Sequence, residues 1–229
     1  MLVFDPIAHS YKNEFTSEIY TSASAVLGKF KKPFDADTVA ERVAKKRKCT
    51  VEEIKAEWKQ SNDFSKTYGT EIHAAIEQYN KLGTYDIKYV DIIQAYIDLN
   101  IIDNKRDSLL IEQQVYNHEF KIAGTADIIR VEDKGGFSIF DLKTNKKFNL
   151  YSQYNDYLLE PVSHLPACEY SNYALQLSLY AYMYQGITGR RVNQLGVLYF
   201  DRESCKFTHY PVNYMKHEIV SMLNYIKNK

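Results

Sequence analysis

Apolar residues recur at helical spacing in the first part of this chain and in strand-like runs in the second. In the first part, Tyr68, Ile72, Ala75 and Ile76 lie three or four positions apart, on one face of a helix. In the second, "FSIFDLKT" follows a Gly-containing turn, as a strand would. The pattern predicts helices over about 37–48, 50–60, 64–82, 88–99, 170–185 and 213–227. It predicts strands over about 109–117, 120–132, 137–144, 194–200 and 205–212.

The order of these elements indicates the fold class. A short hairpin over residues 1–22 and a helical arm over about 36–62 precede a three-stranded meander, a helix, two strands and a final helix. This order predicts an α/β fold with a central mixed β-sheet flanked by helices and an N-terminal helical arm. Because the sequence has neither an internal repeat nor a Gly-, Ser- or Pro-rich linker, we expect one domain over residues 1–229.

Composition and charge narrow the class of protein. The 229 residues are 45% hydrophobic and 25% charged, as in ordinary globular proteins, and no apolar run approaches the roughly 18–20 residues of a membrane span. Without a signal-peptide pattern at the N-terminus, a cytoplasmic protein with no membrane partner is expected. The 29 basic and 29 acidic side chains balance, so any nucleic-acid surface must be local. Three scattered cysteines without a C-x-x-C pair predict neither a zinc site nor an iron–sulfur cluster.

The tripeptide Asp-x-Lys occurs three times, at Asp86–Lys88, Asp103–Lys105 and Asp141–Lys143. In the last, which ends an apolar strand, Asp141 and Lys143 share one side. The preceding strand contributes Asp127, 14 positions earlier. Antiparallel pairing about the turn at residues 133–136 brings Asp127 and Asp141 to the same end of the sheet. Two close carboxylates repel unless a cation lies between them, and a divalent metal with oxygen ligands is the natural cation.

Two predicted helices carry further polar residues of interest. His73 and Glu77 lie four positions apart on one helix face. They follow Gly69 by one and two turns, and a glycine inside a helix suggests close packing. Gln176 and Tyr180 share a face of an otherwise apolar helix, where a buried amide needs a hydrogen-bond partner.

The segments "GTEIH", "GTAD", "DLK" and "QLSLY", in this order and spacing, resemble the RecB-like branch of the PD-(D/E)XK nuclease superfamily. The resemblance covers about residues 69–180. The entry stretch "IYTSASAVL" is similar to that of the phage and mitochondrial-genome-maintenance exonucleases of this branch. The resemblance implies a restriction-endonuclease-like core, and it singles out Asp141–Lys143 from the three Asp-x-Lys tripeptides.

The resemblance also implies roles for individual residues. The implied metal ligands are His73, Asp127, Asp141 and the carbonyl group of Leu142. The implied catalytic set is Lys143, Asp127, Asp141, Glu112 and Gln176. Glu77 is expected to support the site or to hold a second metal ion, and Gln176 and Tyr180 are expected to contact the nucleic-acid strand.

Basic and polar residues near the site extend the expected DNA surface. Thr144, Lys146 and Lys147 directly follow the strand that ends in Lys143, so contact with phosphate is expected there. Lys45 and Lys46 lie in "AKKRK", at the end of a predicted helix. A grip on DNA phosphates is the functional interpretation of this run, and a surface that complements the helix dipole is the alternative.

The implied activity is that of a metal-dependent DNA exonuclease favouring single strands or ends, in recombination, repair or replication. One or two Mg²⁺ or Mn²⁺ ions are expected, because a histidine ligand suits manganese as well. A replication or recombination protein is a candidate partner, and the Lys-, Asn-, Ile- and Tyr-rich composition suits an AT-rich genome such as that of a phage. The alternatives are an endonuclease for flapped or branched DNA and a non-catalytic nucleic-acid-binding module. A metal-dependent hydrolase of another substrate ranks last.

Overall fold

A computed structural model describes residues 2–5, 7–8, 10–101, 108–133 and 135–228. The strands are β1 (Leu2–Asp5), β2 (Ser10–Asn13), β3 (Ile19–Ser22), β4 (Ser108–Asn117), β5 (Ile122–Val131), β6 (Gly136–Lys143), β7 (Arg191–Asp201) and β8 (Lys206–Val212). The α-helices are α1 (Ala23–Gly28), α2 (Ala36–Arg47), α3 (Val51–Leu82), α4 (Val90–Asp98), α5 (Glu169–Thr188) and α6 (Lys216–Lys227), and a 3₁₀ turn spans Ile87–Tyr89. The tripeptide Asp103–Lys105 and turn residue Lys134 lie outside the described residues.

The strands form one mixed sheet, which confirms the predicted α/β class. Its order is β1-β2-β3-β5-β6-β7-β8, with β4 paired to the other edge of β5. The pairs β3·β5 and β6·β7 are parallel, and the remaining pairs are antiparallel. Apolar clusters cover both faces: one includes residues of α1, α5 and α6, and the other includes residues of α3 and α4.

Two strands, β3 and β6, pair with the same edge of β5. Its first residues, Ile122 and Ala123, pair with β3, whereas Ile128 to Val131 pair with β6. Neither neighbour pairs with residues 124–127 along this edge. The sheet therefore has a gap between β3 and β6, and Asp127 lies at its border.

The helical arm begins as predicted but continues differently. Thr50 and Glu53 form the predicted capping box, with Glu53 N donating to Thr50 Oγ1 at 3.1 Å and Thr50 N donating to Glu53 Oε2 at 2.8 Å. The two helices predicted over 50–60 and 64–82 are in fact a single helix, α3, of 32 residues. The apolar spacing lapses at residues 59–64 because these residues are exposed. Without glycine or proline among them, they stay helical.

The arm packs through a small apolar cluster of its own. Ala40 and Ala44 of α2 pack with Ile54 of α3, and Trp58 borders the cluster. Within the described ranges, no helix is both long and apolar enough to span a membrane.

Candidate metal-binding site

Three carboxylate residues stand in one row across β4, β5 and β6. On one side of β5, Ile111 pairs with Ile128 and Gln113 with Ala126, so Glu112 lies opposite Asp127. On the other side, the last pair is Ile128 with Phe140. The next position of that register places Asp141 opposite Asp127. The predicted proximity of Asp127 and Asp141 is therefore present, and it follows from the turn that joins β5 and β6.

Glu112 occupies an unusual backbone conformation for a residue within a strand. Its φ is +52°, in the left-handed region that non-glycine residues rarely adopt. The ladder between β4 and β5 has no pair at Glu112, although the neighbouring positions on both sides are paired. Such local strain often marks a functional position, because the surrounding structure must hold it in place.

His73 reaches this row from α3. Its Nε2 lies 3.1 Å from the carbonyl oxygen of Leu142, and its Nδ1 lies 3.7 Å from Asp127 Oδ2. The backbone N–H of Leu142 donates to the same Asp127 oxygen at 2.7 Å. One potential ligand atom from each of His73, Glu112 and Asp127 lies within 4.8 Å of the others. The structure thus brings together four of the predicted site groups, including the Leu142 carbonyl.

The electrostatics of the row favour a bound cation. Burial, and secondarily the charge of Asp141, raise the pKa of Asp127 to about 6. Burial, followed by the charge of Asp127, raises the pKa of Glu112 to about 7. A cation in this space would relieve the repulsion between the carboxylates.

Lys143 pairs with Asp141 on the same side of β6. Its Nζ lies 2.5 Å from Asp141 Oδ2 and 4.8 Å from the centre of the Tyr173 ring. Burial opposes the charge of Lys143, but the carboxylates of Asp141 and Asp127 outweigh it and raise the pKa of Lys143 above its ordinary value. Lys143 therefore stays protonated, and Asp141, a predicted metal ligand, is engaged by Lys143 in this structure.

Gln176 and Tyr180 of α5 border the gap in the sheet. Gln176, which is half-buried, donates through Nε2 to Tyr180 Oη at 2.9 Å, so its amide has the predicted hydrogen-bond partner. A cleft of about 420 Å³ here is lined by both residues together with Glu112 and Gly124. A Cβ at position 124 would lie 2.5 Å from the Tyr180 ring, so the glycine of "GTAD" makes room for Tyr180.

The remaining predicted site residues lie around this centre. Glu77 lines a cleft of about 370 Å³ with His73 and Glu112, but its Oε1 pairs with Lys81 at 2.6 Å. Thr144 is buried, 3.1 Å from where a Cβ of Gly69 would stand. This placement favours a packing role for Thr144 over the predicted contact with DNA, and it explains the glycine in α3.

The predicted lysine contacts are all exposed. Lys146 and Lys147 follow the end of β6, and Lys45 and Lys46 lie in the last turn of α2, on the arm. In the described part of the chain, none of these four lysines forms an ion pair with a carboxylate.

Two residues near Lys143 were not anticipated from the sequence. Tyr173 of α5 contacts Lys143 through its ring, and its hydroxyl donates to Asn145 Oδ1 at 3.2 Å. Arg202, just after β7, donates through Nε to the carbonyl of Thr144 at 2.8 Å. Tyr173 lies three residues before Gln176, among apolar and aromatic residues typical of a core helix, so the sequence carries no separate signal for it.

Comparisons with known proteins give little beyond this geometry. The sequence matches no protein-family model and no curated protein. Among solved structures, it is similar to SSO0001, with 14% identity, a TM-score of 0.33, and coverage of 74% of this chain and 68% of that chain. It is also similar to a protein from Eubacterium rectale described as a candidate exonuclease, with 13% identity, a TM-score of 0.40, and coverage of 88% and 68%. At these TM-scores, neither likeness carries an argument about function.

Proposed function

We propose that this protein is a metal-dependent DNA nuclease of the RecB-like branch of the PD-(D/E)XK superfamily, acting as an exonuclease on single strands or ends. The observation that carries the proposal is the juxtaposition of two groups at the gap in the sheet. His73, Glu112 and Asp127 form a cluster suited to a metal ion, and the Asp141–Lys143 pair stands beside it on the neighbouring strand. A site that only bound a cation would not require the half-buried Lys143 beside it.

The donor atoms suit Mg²⁺ or Mn²⁺. Asp127, Glu112, His73 and the Leu142 carbonyl would hold the ion, with three oxygen donors and one imidazole nitrogen. When bound, such an ion polarises a phosphoryl oxygen and lowers the pKa of a coordinated water molecule. Asp141 is a further ligand if Lys143 releases it. The three cysteines lie apart, with Cys168 just before α5, Cys49 just after α2 and Cys205 between β7 and β8.

Lys143 has the position and charge to act on the substrate. The protonated amine would stabilise the negative charge that develops on the scissile phosphate and would orient the attacking water. Asp141 holds Lys143 in place through their ion pair, and the ring of Tyr173 supports it on α5. Gln176 and Tyr180 line the adjoining cleft, where they would contact the bound strand.

The exposed lysines extend the proposed DNA surface. Lys146 and Lys147 follow β6, the strand that ends in Lys143, and Lys45 and Lys46 lie on the arm. Contacts of lysine with phosphate are independent of sequence and weaken as salt increases. We therefore propose that DNA binding is non-specific and sensitive to salt.

The decisive experiment compares linear single-stranded DNA, labelled at either end, with closed circular single-stranded DNA. Each substrate is incubated with Mg²⁺, Mn²⁺ or a chelator, and the Lys143→Ala variant is tested in parallel. We expect metal-dependent loss of the linear DNA with the circle spared, and the label that is released first gives the polarity of digestion. Cutting of the circle would indicate an endonuclease instead. Binding without any cleavage would indicate a non-catalytic module of the same fold.

A further inference from the structure

A second cleft, of about 660 Å³, lies between the start of the arm and the loop that follows β6. We call it the tyrosine cleft, after Tyr151 and Tyr154 of that loop. The start of the arm contributes Lys31 and Phe34, and α5 contributes Asn172 and its first residue, Glu169. None of these residues belongs to the proposed metal or catalytic set.

The tyrosine cleft presents aromatic rings to solvent in an unusual way. Tyr151 and Tyr154 are 79% and 77% exposed, and Phe34 is 69% exposed. Among the described residues, neither tyrosine hydroxyl has a hydrogen-bond partner, and neither tyrosine ring packs on another ring. Tyrosine normally buries much of its ring. Exposed aromatic groups at the edge of a cleft are surfaces on which a planar ligand can stack.

The loop is nevertheless held in place by polar contacts. Lys32 pairs with Asp156 at 3.0 Å, which ties the loop to the start of the arm. Gln153 Nε2 donates to Asn149 Oδ1 at 2.9 Å, and Ser152 Oγ accepts from the N–H of Asp156 at 2.8 Å. A loop fixed in this way presents its two tyrosines with little further loss of conformational freedom on binding.

The charges of the tyrosine cleft favour a neutral ligand with polar edges. Of its acids, Asp35 caps α2 by accepting from Thr38, and Asp156 is paired with Lys32. This leaves Lys31 and Glu169 as opposite charges that have no ion-pair partner in the described ranges. Asn172 Oδ1 is enclosed but accepts no hydrogen bond there. A carboxylate and an amide oxygen are acceptors for the amino groups of nucleobases, whereas the acids oppose phosphate.

Helix α5 connects the tyrosine cleft to the proposed active site. Asn172, Gln176 and Tyr180 are spaced four residues apart and follow one face of the helix. Asn172 lines the tyrosine cleft, and the other two line the cleft at the gap in the sheet. The rise from Asn172 to Gln176 is about 6 Å along the helix axis, so one strand of nucleic acid can follow this face from one cleft to the other.

We propose that the tyrosine cleft binds an unpaired nucleobase of the DNA strand, stacked on Tyr151 and Tyr154, while a neighbouring part of the strand lies at Lys143. This inference rests on the proposed nuclease function and adds a site that explains a preference for single strands. A base in a duplex is already paired and stacked on its neighbours, so it is not free to enter the cleft.

The test measures binding of a short fluorescent single-stranded oligonucleotide to Lys143→Ala protein in a chelator, so that cleavage cannot interfere. Adding Tyr151→Ala and Tyr154→Ala together should weaken binding about tenfold. Replacing both tyrosines with phenylalanine should leave binding within about twofold, because the rings remain. Tyr157→Ala is the matched control, since Tyr157 is an exposed tyrosine of the same loop that does not line the cleft.

An abasic scan identifies the contact directly. Each base of the oligonucleotide is removed in turn, and binding of the series is measured for Lys143→Ala protein with both tyrosines intact and with both replaced by alanine. Removing the base that enters the cleft should lower the affinity of the protein with intact tyrosines about tenfold. The same removal should hardly change the affinity of the double-alanine variant, because the two changes remove the same contact. Equal losses at every position for the two proteins would overturn the inference, as would unchanged affinity of the double-alanine variant.

Cleavage by the protein with Lys143 intact separates failure of this inference from failure of the proposed function. If that protein degrades single-stranded DNA but the tyrosine substitutions change neither binding nor KM, only the inference about the cleft fails. If it neither binds nor cuts single-stranded DNA, the proposed function fails and the inference fails with it. The expected result is a KM raised about tenfold by the double-alanine change, with kcat within about twofold.

Discussion

Two acids near opposite ends of the β5·β6 hairpin, Glu132 and Asp127, have pKa values shifted in opposite directions. Near the turn, Glu132 accepts from Ser138 Oγ at 2.7 Å, from Asn193 Nδ2, and from Arg130 at 3.3 Å. Burial opposes its ionisation, but these hydrogen bonds outweigh burial and lower the pKa of Glu132. At the other end, burial and Asp141 raise the pKa of Asp127 to about 6. Asp127 and Glu132 are only five residues apart in sequence.

The difference lies in what surrounds each carboxylate. Glu132 is satisfied by the protein itself, so it needs no ligand and contributes to the stability of the fold. Asp127 accepts one backbone N–H and otherwise faces acids, a histidine and the more distant charge of Lys143, which do not offset the cost of its burial. Such a group is costly to keep in the folded protein unless a ligand compensates it. This contrast, more than burial alone, marks the end of the hairpin near Asp127 as the functional end.

The largest expected effect comes from removing the positively charged side chain of Lys143 at the functional end of the hairpin. Lys143→Ala should lower kcat for DNA cleavage by at least about a hundredfold, because the phosphate loses a preorganised positive charge in a site sheltered from water. Cleavage is measured with labelled linear DNA in Mg²⁺ or Mn²⁺. Binding is measured separately, to show that the substrate is still held.

Lys88→Ala is the matched control for this change. Lys88 belongs to another Asp-x-Lys tripeptide and is exposed, with Asp86 4.0 Å away. Its replacement should leave kcat within about twofold, since surface ion pairs contribute little. Full activity of Lys143→Ala, or equal losses in both variants, would contradict the assignment of Lys143.

The second prediction concerns how stability depends on pH in the metal-free protein. The pKa of Asp127 rises from 3.8 to about 6 on folding, and that of Glu112 rises from 4.5 to about 7. Between about pH 4 and pH 7 the folded protein therefore binds more protons than the unfolded chain. Stability from these groups is present below pH 4 and is lost as pH rises through this window. Thermal unfolding should show a midpoint several degrees lower at pH 7.5 than at pH 5, and Mg²⁺ or Mn²⁺ should restore it.

Asp127→Asn isolates the contribution of the acidic row from that of other titrating groups. The variant should show a flatter dependence of its midpoint on pH than the parent protein, and metal should stabilise it less. If the two proteins respond identically to pH and to metal, ionised Asp127 does not destabilise the folded protein and Asp127 is not a metal ligand. Asp127 and Glu132 would then not differ in the way described above.

The third prediction tests whether Tyr173 positions Lys143. Tyr173→Leu should lower kcat about tenfold with little change in KM, because Lys143 loses the ring on which it rests. Tyr173→Phe keeps the ring and should stay within about twofold. Tyr170→Leu is the matched control: Tyr170 and Tyr173 both pack on the ring of Phe148, but the Tyr170 hydroxyl donates to the carbonyl of Pro211, on β8. A loss of kcat in Tyr170→Leu equal to that in Tyr173→Leu would assign the effect to packing alone.

The sequence was sufficient for the main elements and for the central pair of acids. Alternation within two strands and the composition of the turn between them place Asp127 and Asp141 together, and the register agrees. The helix starts also follow from local chemistry, as the capping box of α3 shows. These features depend on residues close in sequence, whose geometry is largely set by the backbone.

Features that depend on distant contacts were not predictable in this way. The left-handed conformation of Glu112 has no sequence signal, because a glutamate adopts it only when its surroundings enforce it. Thr144 is predicted to contact DNA because it is a polar residue directly after a strand. In the structure it is buried against Gly69 of α3, which lies 75 positions earlier in the sequence. The contact of Tyr173 with Lys143 likewise depends on how α5 packs against the sheet.

The smallest expected effect is at the end of the hairpin near the turn, where protein groups hydrogen-bond the carboxylate of Glu132. Ser138→Ala removes one of the hydrogen bonds to Glu132 and should cost about 1–2 kcal/mol at pH 7, with cleavage unchanged. Because the pKa of Glu132 is lowered on folding, its contribution is present above the pKa of the unfolded chain and is lost as pH falls. Urea unfolding should therefore show a smaller cost of Ser138→Ala at pH 3 than at pH 7. Ser178→Ala removes an equally buried hydroxyl, which accepts at 3.0 Å from the neutral N–H of Met215. Its cost should be the same at both values of pH, so a pH-dependent cost confined to Ser138 would identify a carboxylate that the protein itself has satisfied.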